Sequence, residues 1–316
     1  MKNSNIAFSG LAILGLGLGL GLGLVACGGS ARTQTRVAKD DFAYLPADSH
    51  IVATMDVAGM LKSEYWKHFE GKFKSQIDNA MAAVTGPCKI DAVNKLSSIA
   101  VGATMANQNE GTVTLVVRGL TEGELMPCLN DSVKNGQLVQ NGTMWFTKKD
   151  SAGGGAMTFV AADVAVMLVN TAGAAPTAEA LAAIVSGQKG LASSAGFSAE
   201  WGQVAPGHLR LLANGTAPAF KDAGVAFKAV SGAVALDASL HLEGAMTLNN
   251  EDEAKAIAGA ASGQMGMLGA FVTQPSLSAD GAKVKFSASM TTEQTSTLIG
   301  MALGGAGAAS ESDAAH

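Results

Sequence analysis

From Leu236 to Leu248 the chain alternates with a period of two. Leu236, Ala238, Leu240, Leu242, Met246 and Leu248 fall on one side, and Asp237, Ser239, His241, Glu243 and Thr247 on the other. Such a stretch is half-buried antiparallel sheet, one face packed and one wet. It is too long for one ordinary strand, so a turn is expected near Asp237-Ala238-Ser239. Thr112 to Leu120 and Lys283 to Met290 alternate in the same way.

Local punctuation agrees with sheet and helix in succession. Asn141-Gly142 and Asp280-Gly281, each between strand-like residues, are hairpin signals. Thr121-x-x-Glu124 and Thr291-x-x-Gln294 match a capping box at a helix start. Asn249-Asn250 ahead of Glu251-Asp252-Glu253 puts acids on the positive end of a helix running towards Leu268. A first helix is expected over about Ala58 to Val84, with Leu61, Tyr65, Phe69, Phe73, Ile77 and Met81 at four-residue steps. Each step drifts about 40° round a 3.6-residue turn, so the stripe slants, and Gly71 is the expected break. The stripe reads as core packing.

A weak internal repeat is visible. "AYLPADSHIVATMDV", Ala43 to Val57, echoes "GQVAPGHLRLLANG", Gly202 to Gly215: a Pro, a short turn, a His, then an apolar strand. The expected fold is therefore α+β, two tandem modules of antiparallel sheet with helices packed on one face. The expected divisions are 1–26 leader, 27–41 tether, 42–200 first module, 201–303 second module and 304–316 disordered tail.

With 48% hydrophobic and 15% charged residues, the chain can build a packed core. A net charge of −5 with dispersed basic residues argues against nucleic acid as a partner.

The amino terminus carries Lys2, an apolar run from about Ile6 to Ala26, then Cys27. A positive start, an apolar middle and small residues at the end describe an export signal. The glycines alternating with Leu between Gly15 and Leu24 each cost a helix about 1 kcal/mol relative to Ala, which disfavours a lasting membrane span. A phosphate loop would need Gly-Lys-Ser/Thr after the glycines, and none follows.

Leu24-Val25-Ala26-Cys27 resembles the lipobox of bacterial lipoproteins. The resemblance implies cleavage before Cys27, acylation of its sulfur and new amino terminus, and attachment to the lipid bilayer. Gly28, where an Asp would favour inner-membrane retention, leans the resemblance towards the outer membrane. A second, looser resemblance lies in "ALAAIVSGQKGLASSAGFSAEWGQVAPG", Ala180 to Gly207, similar to linkers of uncharacterised bacterial envelope proteins. It implies no chemistry.

Once Cys27 is assigned to the anchor, Cys88 and Cys128 remain. In an oxidising compartment they are expected to form one disulfide. Closing a loop of about 40 residues would contribute roughly 4 kcal/mol in the chain-entropy account.

No catalytic, metal or cofactor motif stands. Ser186-Gly187-Gln188-Lys189 matches S-x-x-K, but its S-D-N and K-T-G companions are missing. His241-x-Glu243 lacks the P-C-x-x-C of a zinc deaminase and falls on the polar side of a strand. His50, His68, His208, His241 and His316 share no close spacing. A serine triad assembled from distant residues stays open, since its members need not be neighbours in sequence. The expectation is a non-catalytic, outer-membrane-anchored lipoprotein that binds an envelope partner or supports the envelope. The alternative is a carrier of an apolar ligand such as lipid, with an envelope hydrolase behind it.

Overall fold

A computed structural model describes residues 39–71, 94–107, 110–147, 154–171, 175–187, 190–220, 226–268 and 271–298. Leu24, Val25, Ala26, Cys27, Cys88, Lys189 and His316 lie outside these residues, as does the expected helix beyond 71.

The fold is α+β: a twelve-stranded sheet, antiparallel throughout, with helices packed on it. Its strands are β1 (Ile51–Asp56), β2 (Ser98–Met105), β3 (Gly111–Arg118), β4 (Leu138–Asn141), β5 (Met144–Thr147), β6 (Gly154–Ala161), β7 (Val164–Asn170), β8 (Leu209–Asn214), β9 (Ala229–Leu236), β10 (Leu240–Thr247), β11 (Thr273–Asp280) and β12 (Lys283–Met290). They lie side by side as β11-β12-β10-β9-β8-β1-β2-β3-β7-β6-β5-β4. The helices are α1 (Val57–Lys62), α2 (Glu122–Lys134), α3 (Ala178–Val185), α4 (Ala195–Trp201) and α5 (Glu251–Leu268), with further helical residues at 64–71 and 292–298.

The local signals resolve as elements, except that the Thr121 hydroxyl caps no backbone N–H and instead donates to Glu124 Oε2 at 2.6 Å. The alternating stretch 236–248 spans the end of β9, a turn at 237–239 and β10. Gly142 (φ 61°) and Gly281 (φ 55°) take the left-handed backbone that their hairpins require. The Thr291 box is reciprocal: Gln294 N donates to Thr291 Oγ1 at 3.3 Å, and Thr291 N to Gln294 Oε1 at 3.0 Å. At α5 the backbone N–H of Glu253 donates to Asn250 Oδ1 at 2.9 Å. The first helix is interrupted at Ser63, while Gly71 is helical and the residues that follow it lie outside those described. Ser63 is extended (ψ 147°), and its hydroxyl accepts from Trp66 N at 3.1 Å, capping the next helical stretch.

The sheet is one body built twice. In the first half β1, β2 and β3 are followed by α2 and by a hairpin, β6–β7, that returns beside β3. In the second, β8, β9 and β10 are followed by α5 and by a hairpin, β11–β12, that returns beside β10. The β4–β5 hairpin is an addition to the first half. Registers repeat: Ser98 faces Arg118 as Ala229 faces Thr247, and Met105 faces Gly111 as Leu236 faces Leu240.

The halves meet where β1 pairs with β8, and Ala53 there faces its own counterpart, Leu211. Asn214 N donates to His50 O and Asp56 N to His208 O, both at 2.7 Å. His50 Nδ1 accepts from Met105 N, and His208 Nδ1 from Leu236 N, both at 3.0 Å. The two histidines of the sequence repeat are thus equivalent pins at the ends of the central strands.

Helices α2 and α5 occupy corresponding places on one face. Leu125 and Leu129 of α2 pack with Leu115, Val117 and Trp145, and Ala254 and Ala258 of α5 with Leu248 and Val284. The first half adds a cover on the opposite face, from residues 39–44, α3 and α4. Phe42, Leu45, Leu181, Leu191 and Trp201 there pack against Val52, Val116 and Val166. The tether expected to run to Asp41 is therefore shorter at its folded end. Residues 39–44 form a 3₁₀ turn, and Asp41 is buried against Arg118.

The linker-like segment 180–207 serves as a clasp. Leu191 N donates to Leu45 O at 2.9 Å, and Gly190 lies so close to Ala43 that a Cβ would fall 2.0 Å from its carbonyl oxygen. The open sheet edges are blunted: β4 has four residues, and β11 carries Pro275 and a bulge between Thr273 and Ser276.

Candidate apolar binding face

One row of cross-strand neighbours crosses the face that carries α2 and α5. It runs Leu277, Phe286, Gly244, Gly232, Leu211, Ala53, Val101, Leu115, Met167, Met157 and Trp145, with no ionisable side chain. At one end α2 covers the row, and at the other α5 packs beside it on Leu248 and Val284. Between them Leu211, Ala53 and Val101 are half-buried, as are Met55, Ile99, Leu209 and Val234 on the same side.

The contrast with the opposite face of the same strands is sharp. Val52, Ala100 and Val116 there are 2%, 0% and 0% exposed. Apolar area of this kind left in water costs about 25 cal/mol per Å², so a contiguous half-covered strip favours an apolar occupant. Paired glycines make part of the relief. Gly232 and Gly244 are cross-strand neighbours, and the ring of Phe286 lies over Gly244, where a Cβ would sit 2.1 Å from ring carbon Cζ. Phe286 itself is 43% exposed, so the strip extends towards α5 as an accessible aromatic surface.

Two sequence candidates are placed apart from this face. Ser186 ends α3, its hydroxyl donating to Ala183 O at 2.7 Å, and its S-x-x-K companion Lys189 lies outside the described residues. His241 and Glu243 stand on the polar face of β10 as the alternation requires, Glu243 exposed. No group of three His, Cys, Asp or Glu able to hold a metal occurs among the described residues.

Among the described residues the histidines do not converge. His50 and His208 pin opposite ends of the central strands, and His68 packs edge-on against Phe69 with ring centroids 4.9 Å apart. Cys128 is half-buried on α2. Among the described residues no helix is long and apolar enough to cross a membrane.

Arg210 carries a charge that sequence reasoning passed over. It leaves β8 on the covered face and stacks over Trp201 at 4.6 Å. Its guanidinium donates to the carbonyls of Ala205, Trp201 and Val204 at 3.0, 3.1 and 2.8 Å. These carbonyls end α4 and the turn after it, where a cation is favourable. Burial holds its pKa below the usual arginine value, and its role is to close the clasp.

No family model and no curated protein matches the sequence. Solved structures do. Crystal form III of TP0453 superposes with a TM-score of 0.51 at 9% identity, covering 82% of this chain and 96% of that one. This chain shares its fold with TP0453. Crystal forms I and IV of the same protein give TM-scores of 0.48 and 0.47 at 9% and 8% identity, each covering at least 82% of this chain. At such identity the likeness carries the fold and nothing of activity.

Proposed function

We propose that this protein is a lipoprotein of the bacterial cell envelope, held at the outer membrane by acyl chains on Cys27, whose sheet binds an apolar ligand such as lipid. The observation that carries the binding reading is the half-exposed apolar row centred on Leu211, Ala53 and Val101. Of the two forms a binding module can take, envelope protein partner or apolar carrier, this row favours the carrier, because it lacks the polar rim groups that specify a protein interface. The anchor rests on Leu24-Val25-Ala26-Cys27, and the leaning to the outer membrane on Gly28.

Native mass spectrometry of the protein extracted from membranes tests the carrier reading. A non-covalent apolar adduct is expected, and bare protein in every preparation would overturn it. The proposal keeps a Cys88–Cys128 disulfide within the exported chain. Alkylation without reductant is expected to leave both thiols untouched, and modification of both would end that part of the account.

A further inference from the structure

The face opposite the apolar row holds a second constellation in the second half. Asp237 lies in the turn between β9 and β10, His241 is the second residue of β10, and Ser289 stands opposite it on β12. His241 Nδ1 is 2.9 Å from Ser289 Oγ. The other ring nitrogen, Nε2, is 3.2 Å from the Asp237 carboxylate and 2.9 Å from Ser239 Oγ. With the Nε2 proton donated to Asp237, Nδ1 keeps its lone pair for the Ser289 hydroxyl proton. A hydroxyl, a base within hydrogen-bond reach and a carboxylate orienting that base are the parts of an activated nucleophile.

The carboxylate is itself fixed. Asp237 Oδ1 accepts from Ser239 N at 2.8 Å, and Asp237 O accepts from Tyr65 N at 2.7 Å. The backbone N–H of Ser239, then the His241 charge and the Ser239 and His241 side-chain contacts, hold the carboxyl below the usual aspartate range.

The duplication supplies an internal control. The corresponding pair in the first half, where β3 meets β7, is Thr112 and Asn170, joined from Thr112 Oγ1 to Asn170 Oδ1 at 3.1 Å. A neutral hydrogen-bonded pair therefore suffices for the sheet at this position. The second half has a base and a hydroxyl there, with an acid behind the base. Beside them, Thr273 faces Ser289 across the edge pair. The next residue, Gln274, is the one non-glycine with positive φ (52°) among the described residues, and it opens the bulge in β11. Bulges and such backbone cluster where a strand is re-aimed at a functional site.

We infer that Asp237, His241 and Ser289 form a serine nucleophile site that cleaves carboxylic esters presented at the surface of the sheet. Ser289 Oγ attacks the carbonyl carbon, and its proton passes to His241 Nδ1. The tetrahedral adduct collapses, the bond to the alkoxide breaks, and Nδ1 returns the proton so that an alcohol leaves. Water then attacks the acyl-Ser289 ester with His241 again taking the proton, releasing the carboxylic acid and restoring the hydroxyl. With side chains of His241 and Asp237 40% and 67% exposed, the site is open and suits small or extended esters. This goes beyond the binding reading and departs from the expectation of a non-catalytic chain.

The test is labelling of the full chain with a fluorophosphonate, mapped by peptide mass, alongside hydrolysis of p-nitrophenyl acetate. Ser289 is expected to be labelled, and Ser289→Ala to abolish both signals. His241→Gln is expected to slow labelling at least ~100-fold, the usual share of a positioned base. Ser287→Ala, two residues along the same strand face, is expected to change neither. Melting curves of the variants are expected to match the wild type, because none of the three side chains belongs to the packed core. Ser289 labelled no faster than Ser287, or esterase activity surviving Ser289→Ala, would overturn the inference. Either result would leave the binding face on the opposite side untouched.

Discussion

Replacing Cys27 with Ala is expected to move the protein from the membrane fraction to the soluble fraction almost completely. Each buried methylene contributes about 0.8 kcal/mol, and one fourteen-carbon chain binds only reversibly. Two or more chains on one Cys therefore make the difference between firm attachment and none. Among the described residues no helix is long and apolar enough to cross a membrane. Fractionation reads the release, and intact mass shows whether the leader is present. A variant that stayed firmly membrane-bound through a retained leader would show that Leu24-Val25-Ala26-Cys27 is not the anchor signal.

Asp41→Ala is expected to produce a large loss of stability. The Asp41 carboxylate is 1% exposed, and Arg118 reaches it with Nε at 2.7 Å and Nη2 at 2.5 Å. Removing the acid takes from the guanidinium, 18% exposed, its contact with the buried carboxylate beneath the N-terminal 3₁₀ turn. Breaking a buried ion pair in this way costs about 3–5 kcal/mol. For a chain of this size that corresponds to a fall in Tm on the order of 10 °C. The double variant Asp41→Leu with Arg118→Met is expected to recover much of the loss, since the penalty comes from the stranded charge. Equal destabilisation in single and double variants would show that the residues act by packing alone. Because Phe42 and Tyr44 pack with Leu45 and Val52, the pair also fixes how the 39–44 turn sits on the sheet.

What could be read from the sequence was local. The alternation from Leu236 to Leu248 showed a strand, a turn and a strand because pleating imposes a period of two on neighbours in the chain. Gly142, Gly281, Thr291 and Asn250 marked hairpins and caps because each acts within four residues of itself. The repeat around His50 and His208 was visible for the same reason, as a short pattern of Pro, turn, His and strand.

What stayed hidden depends on partners far apart. No periodicity in 51–56 or 209–214 says that β1 and β8 pair and fuse the halves into one sheet. Asp41 looked like part of a polar tether because Arg118, its reason for burial, is on β3. The segment around Gly190 looked like a linker because its contacts are with Ala43 and Leu45. His241 read as ordinary surface because Ser289 reaches it only through the β10–β12 register.

The half-exposed row on the α2 and α5 face is the centre of the functional account, and a titration tests it most directly. The protein, stripped of bound lipid, is titrated with a fluorescent polyene fatty acid beside Leu211→Asp, which puts one carboxylate in the middle of the row. The account predicts saturable binding by the wild type and a loss of at least tenfold in affinity for the variant, with the fold retained. Equal binding by the two proteins, or no saturable binding by either, would contradict it.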